Sequence, residues 1–123
     1  MLGDESLSVA FDRLVGRLTT TQRVAFNKEM DRAITNGRDA ARKACRDSGP
    51  NRKFAEMSLD TVAQYAFARE SGSPGQYIKG KMTPETRALL AVDTMTEPDR
   101  RLLEWQFIFA VIFNYHREMT TCR

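Results

Sequence analysis

The feature that most constrains this chain is its closing stretch, where Phe107 to Phe113 is apolar without a break. A surface helix or loop cannot leave such a run in water. Just upstream, Thr96-Glu97-Pro98-Asp99 supplies a threonine N-cap, a proline in the first turn and acidic residues for the positive helix end. These signals predict a helix from about Glu97 to Met119, in preference to the buried strand that the aromatic and β-branched content alone would allow. On that helix Leu102, Trp105, Phe109, Ile112 and Phe113 share one face. Leu103, Phe107, Ala110, Val111 and Tyr115 cover much of the rest. Trp105, Phe107, Phe109, Ile112, Phe113 and Tyr115 are therefore the candidate core or interface residues. The stretch contains Glu104 and Gln106 and is shorter than the ~20 apolar residues of a membrane span, so no membrane partner is expected.

The helix start is used twice. Met82-Thr83-Pro84-Glu85-Thr86-Arg87-Ala88-Leu89-Leu90 is echoed by Met95-Thr96-Glu97-Pro98-Asp99-Arg100-Arg101-Leu102-Leu103, each with a threonine cap before a first-turn proline. Earlier in the chain, Ser6 to Leu18 reads as a helix with Val9, Phe11, Leu14 and Leu18 inward. Thr19 and Gln22 stand at capping-box spacing before a stripe of Phe26, Met30, Ala33 and Ile34. Asn36-Gly37 interrupts that stripe, which favours a break with a restart at Arg38 over the alternative of one long helix carrying a tolerated glycine, and a firmer stop follows at Ser48-Gly49-Pro50. A further helix is expected from an N-cap at Ser58 through Leu59, Val62, Ala63, Ala66 and Phe67. About residues 71–81 are expected to form a mobile loop. With 123 residues this makes one all-α domain, a compact bundle of about five to six helices around the apolar C-terminal one.

Charge is concentrated rather than large. The net charge is +3, and Arg23 to Lys53 holds nine Lys/Arg against four Asp/Glu, while each flank is slightly acidic. Within it, Arg38, Arg42 and Arg46 recur every four residues with Lys43 beside them, a ridge suited to a phosphate backbone or an acidic partner. The competing reading is a solvated face, with Asp39 and Asp47 pairing locally.

Gln64, Ala68, Gly72 and Ile78 follow a spacing that resembles helix-turn-helix DNA-binding proteins over about twenty residues. The resemblance implies a recognition helix and DNA binding, with no base-reading side chains to carry over; Lys79 and Lys81 enter only as aids to the basic face of Arg38, Arg42, Lys43 and Arg46. The pattern departs from that family at Pro74 and Gly75, at the start of that helix, and at Gly80 and Lys81 within it.

Catalytic and metal chemistry find little footing. His116 is the sole histidine, and its place near a helix C-terminus suits a partly buried or dipole-compensating role. Cys45 and Cys122 are remote in sequence, and no metal-ligand spacing, P-loop or dinucleotide fingerprint is present. Met1-Leu2-Gly3 runs directly into Asp4 and Glu5, so free thiols in a cytoplasmic setting are expected, with a single Cys45–Cys122 disulfide as the alternative. The resulting expectation is a non-catalytic small regulatory protein without a cofactor. It would act by protein–protein binding as a homodimer, as do adaptors or inhibitors carried by phages or plasmids. The alternative is a DNA-binding transcriptional regulator using the basic helix face.

Overall fold

The computed structural model describes residues 6–48 and 77–122, which are helical with no strand among them. The expected helix after Ser58 lies outside the described residues, as do residues 71–76 of the expected loop and Gln64, Ala68 and Gly72.

Helix α1 (Leu7–Gly16) begins where the Ser6 hydroxyl accepts from Val9 N at 3.2 Å. Ala10 and Leu14 form its buried face, with Leu18 joining after the helix ends, whereas Val9 is 49% exposed. The inward face is thus turned away from Val9. Helix α2 (Thr20–Ser48) opens on a reciprocal capping box. Gln22 N donates to Thr19 Oγ1 at 3.1 Å, and Thr19 N donates to Gln22 Oε1 at 2.8 Å.

The expected break at Asn36-Gly37 does not occur, and α2 runs through it as one helix of 29 residues. The glycine serves close approach instead of termination. Gly37 is buried, and a Cβ there would strike the Val111 carbonyl oxygen and lie 3.1 Å from Tyr115 N on the opposing helix. Around it, Ala33, Ala40, Ala41 and Ala44 are all at most 5% exposed. This small-residue face lets the backbone of the closing helix come into contact.

Helix α3 (Tyr77–Gly80) is a single turn, and helix α4 (Pro84–Leu89) follows with Thr83 as its cap. A 3₁₀ turn (Val92–Thr94) leads to helix α5 (Glu97–Met119), capped by Thr96. Both expected threonine caps are formed: Thr83 Oγ1 accepts from Thr86 N at 3.1 Å and Thr96 Oγ1 from Asp99 N at 3.3 Å. Between them Ala91 takes a left-handed conformation, φ 55°, which strains a residue with a Cβ. Leu90 and Val92 on either side are buried, and Gln22 Nε2 donates to the Leu90 carbonyl at 2.8 Å, so packing and a hydrogen bond fix the bend.

The principal packing is α2 against α5. α5 supplies the bulk, with Leu103, Phe107, Ile108, Val111 and Tyr115 fully buried, and Phe107 touches Phe26 and Tyr77 at ring distances of 5.3 and 5.7 Å. α1 lies across α5, and an Arg17–Asp99 ion pair of 3.1 Å ties it to the start of that helix. Beyond the helices, Cys45 and Cys122 are joined by a disulfide with a Cα–Cα distance of 5.9 Å, so the thiols are not free as expected. The fold itself brings the end of α2 beside the residues after α5, a proximity that sequence spacing does not reveal.

Candidate functional site

The six apolar residues singled out on α5 divide between two faces. Phe107 and Tyr115 are fully buried against α2, while Trp105, Phe109 and Ile112 are only half-buried and Phe113 is 66% exposed. The reason is angular. Residues 103, 107, 111 and 115 share one arc with Glu104, Ile108 and Met119, and this arc faces the core. Leu102, Trp105 and Ile112 flank that arc and pack partly against the core, and beyond them the half-buried Phe109 leads to Phe113, which is turned to solvent.

On that outward face the aromatic rings form a row. Trp105 and Phe109 are 5.1 Å apart and stacked, Phe109 and Phe113 are 5.9 Å apart, and Phe11 of α1 reaches Phe109 at 6.3 Å. At the N-terminal end of the row, Leu7, Pro98, Leu102 and Trp105 line a groove of about 530 Å³, flanked by Glu97 and Arg101. Four-residue spacing places the rings in register, and ring–ring contact links them.

The basic residues Arg38, Arg42, Lys43 and Arg46 are all exposed on α2, and only some of them border a cleft. Arg38 and Arg42 line a cleft of about 170 Å³ whose other wall is Asn114, Arg117, Glu118 and Thr121. Lys43 and Arg46 do not line it. Arg42 is held by Asp39 at 3.4 Å and by Glu118 at 3.6 Å, so the local pairing anticipated for Asp39 exists and is joined by a carboxylate from α5.

Two carboxylates, Glu29 and Glu104, are buried, a placement not assigned from the sequence. Glu29, 2% exposed, accepts from the Tyr77 hydroxyl at 2.8 Å, with Arg32 Nη1 3.7 Å from its other oxygen. Burial raises its pKa above 4.5, against the lowering effects of the Tyr77 hydrogen bond and the Arg32 charge. The same burial, with the Glu29 charge, pushes the Tyr77 phenol up. Glu104, also 2% exposed, accepts from Ile78 N at 3.1 Å. Arg87 donates to the Ile78 carbonyl at 2.7 Å, and Arg32 donates to the Lys81 carbonyl. Residues 77–81, expected at the end of a mobile loop, are instead clamped to α2, α4 and α5, with Tyr77 and Ile78 in the core. The clue available in sequence was Glu104, which falls on the inward arc of an otherwise apolar helix.

A cavity of about 370 Å³ beside this clamp is lined by Ile78, Arg87, Arg100, Arg101, Glu97 and Glu104, among others. Its charges are largely engaged: Arg100 donates to the Met95 carbonyl at 3.0 Å and Arg101 to Glu97 at 2.7 Å. It therefore reads as a structural junction. His116 packs edge-on against Tyr115 at 5.7 Å. Among the described residues no group of three or more His, Cys, Asp or Glu side chains is placed to hold a metal ion. Among them too, no helix is long and apolar enough to cross a membrane. Comparison with protein-family models, with curated proteins and with solved structures finds no match.

Proposed function

We propose that this chain is a non-catalytic regulatory protein, an adaptor or inhibitor, that acts by protein–protein binding through the outward face of α5, and that a second copy of the chain occupies that face. The observation that carries the reading is Phe113, 66% exposed at the end of a ring row continuous with half-buried Phe109 and Trp105. Aromatic side chains grouped this way are the usual anchors of protein interfaces, and they keep little conformational freedom to lose on binding. A patch on one straight helix also meets its own copy readily about a two-fold axis, which closes the assembly at a dimer. The cytoplasmic setting expected from the sequence enters this reading with one change. The Cys45–Cys122 pair would there be of the redox-responsive kind, since permanent disulfides are rare in that compartment.

The test is sedimentation of the full chain across a wide concentration range, beside Phe113→Asp and Phe109→Asp. The expected result is a dimer for the parent and a helical monomer for Phe113→Asp, whose side chain contributes little to the folded core. A parent that stays monomeric at high concentration would remove the second copy as occupant.

A further inference from the structure

The cleft between α2 and the end of α5 carries an inference independent of the aromatic face. Three arginines from two helices line it: Arg38 and Arg42 from α2 and Arg117 from α5. Only Arg42 has ion-pair partners there, Asp39 and Glu118. Among the described residues neither Arg38 nor Arg117 makes a side-chain hydrogen bond or ion pair. Compensation of helix dipoles accounts for part of this at most. Arg117 lies in the last turn of α5, where cations are favoured, but Arg38 and Arg42 stand more than a turn before the end of α2. Two arginines unpaired among the described residues and one paired with Asp39 and Glu118 thus line a space to which Glu118 contributes the one carboxylate.

Asn114 and Thr121 also line the cleft but already donate to the Ala110 and Glu118 carbonyls at 2.7 Å, so recognition of an anion falls to the arginines. The cleft volume of about 170 Å³ accommodates a tetrahedral oxyanion with some water. The disulfide joins the two walls one residue beyond Thr121, so their spacing is set before any ligand arrives. Arginine's planar fork matches phosphate oxygens with paired, charge-assisted hydrogen bonds, and it does so better than lysine.

We propose that this cleft is a phosphate-binding site, with Arg38, Arg42 and Arg117 as ligands of a single phosphate group and Glu118 as the carboxylate that tempers its affinity. The group is either a free phosphate ion or ester, or a backbone phosphate of a nucleic acid. The site differs from the basic ridge read in the sequence, because it recruits Arg117 and leaves out Lys43 and Arg46.

The experiment is calorimetric titration of the full-length oxidised protein at low salt with inorganic phosphate, with pyrophosphate and, in a separate arm, with a short DNA duplex. Saturable binding of at least one probe is expected. Arg38→Gln or Arg117→Gln should weaken it about tenfold, and Glu118→Gln should strengthen it several-fold. The Lys43→Gln/Arg46→Gln double variant should leave phosphate and pyrophosphate binding within about twofold. Circular dichroism of each variant confirms the fold, and all five substituted positions are at the surface or half-buried. Saturation by phosphate or pyrophosphate makes a free anion the ligand. Saturation by duplex alone, with the same dependence on Arg38 and Arg117, makes the nucleic-acid backbone its source. No saturable binding of any probe overturns the proposal. So does binding that falls equally in the Lys43/Arg46 variant, which would mean a diffuse basic surface.

Discussion

Replacing Gly37 by alanine sets two known effects against each other. In a helix interior alanine is favoured over glycine by about 1 kcal/mol, so propensity alone predicts a more stable protein. The added methyl, however, would overlap the Val111 carbonyl oxygen and lie 3.1 Å from Tyr115 N and 3.2 Å from Asn114 Cβ. Two of these atoms are main chain and cannot rotate aside, so α2 and α5 must part. Separation by ~0.5–1 Å forfeits a quarter to a half of the dispersion energy at each contact. Overfilling a packed core costs about 1–3 kcal/mol, and a backbone collision belongs at the upper end of that range. Net destabilisation should be about 2 kcal/mol, a fall of roughly 6–12 °C in Tm for a chain of this size. Gly16, with nothing within 4 Å of its would-be Cβ, is the internal control, and Gly16→Ala should be neutral or slightly stabilising. Thermal and urea melts followed by circular dichroism measure both. A Gly37→Ala protein melting at or above the parent would refute close approach of the two helices at this point.

Removing the disulfide by Cys45→Ser with Cys122→Ser frees a closure across 77 residues. The chain-entropy limit for that loop is about 4.5 kcal/mol and the usual measured loss is about 2–4 kcal/mol. Urea melts should report it, and two reactive thiols in the unfolded, unreduced parent would show that the bond is absent. Glu29 predicts a pH dependence of definite sign. Its folded pKa is raised by burial, more than Tyr77 and Arg32 lower it, so the folded state holds a proton that the unfolded state releases near pH 4.5. Stability contributed by this group is full below that pH and is lost as pH rises through the raised folded value. Glu29→Gln, which still accepts from Tyr77, should show a flatter stability profile above pH 4.5 than the parent; an identical slope in both would refute the assignment.

What could be read from the sequence was local. Thr19 with Gln22, Thr83 and Thr96 each announced a helix start through hydrogen bonds made within three residues, and each cap is formed. The bounds of the closing helix, Glu97–Met119, follow from the same logic. What failed depended on partners distant in the chain. Gly37 carries an ordinary stop signal, yet α5 gives it a different use, and only the crossing reveals that. Residues 77–81 lack a period because their order comes from Glu29, Arg32, Arg87 and Glu104 rather than from their own pattern. Arg117 was overlooked for the same reason: it meets Arg38 and Arg42 only after α2 and α5 have packed.

The exposed aromatic face and the tight crossing at Gly37 are consequences of one division of labour. Because α2 offers mainly alanine and glycine, α5 settles close against it and buries the arc carrying Phe107, Val111 and Tyr115. A helix this apolar has a second arc to cover, and among the described residues α1 meets it through Phe11 on Phe109, while Phe113 stays exposed. The two arcs therefore answer to different measurements. Substitutions facing α2, such as Gly37→Ala, act on the melting temperature of every copy, whatever its assembly state. Substitutions at Phe113 remove little buried surface from the single chain and act on association. A Phe113→Asp variant that lost as much stability as Gly37→Ala at concentrations too low for assembly would mean that the outer row belongs to the core, and the binding face would have to be sought elsewhere.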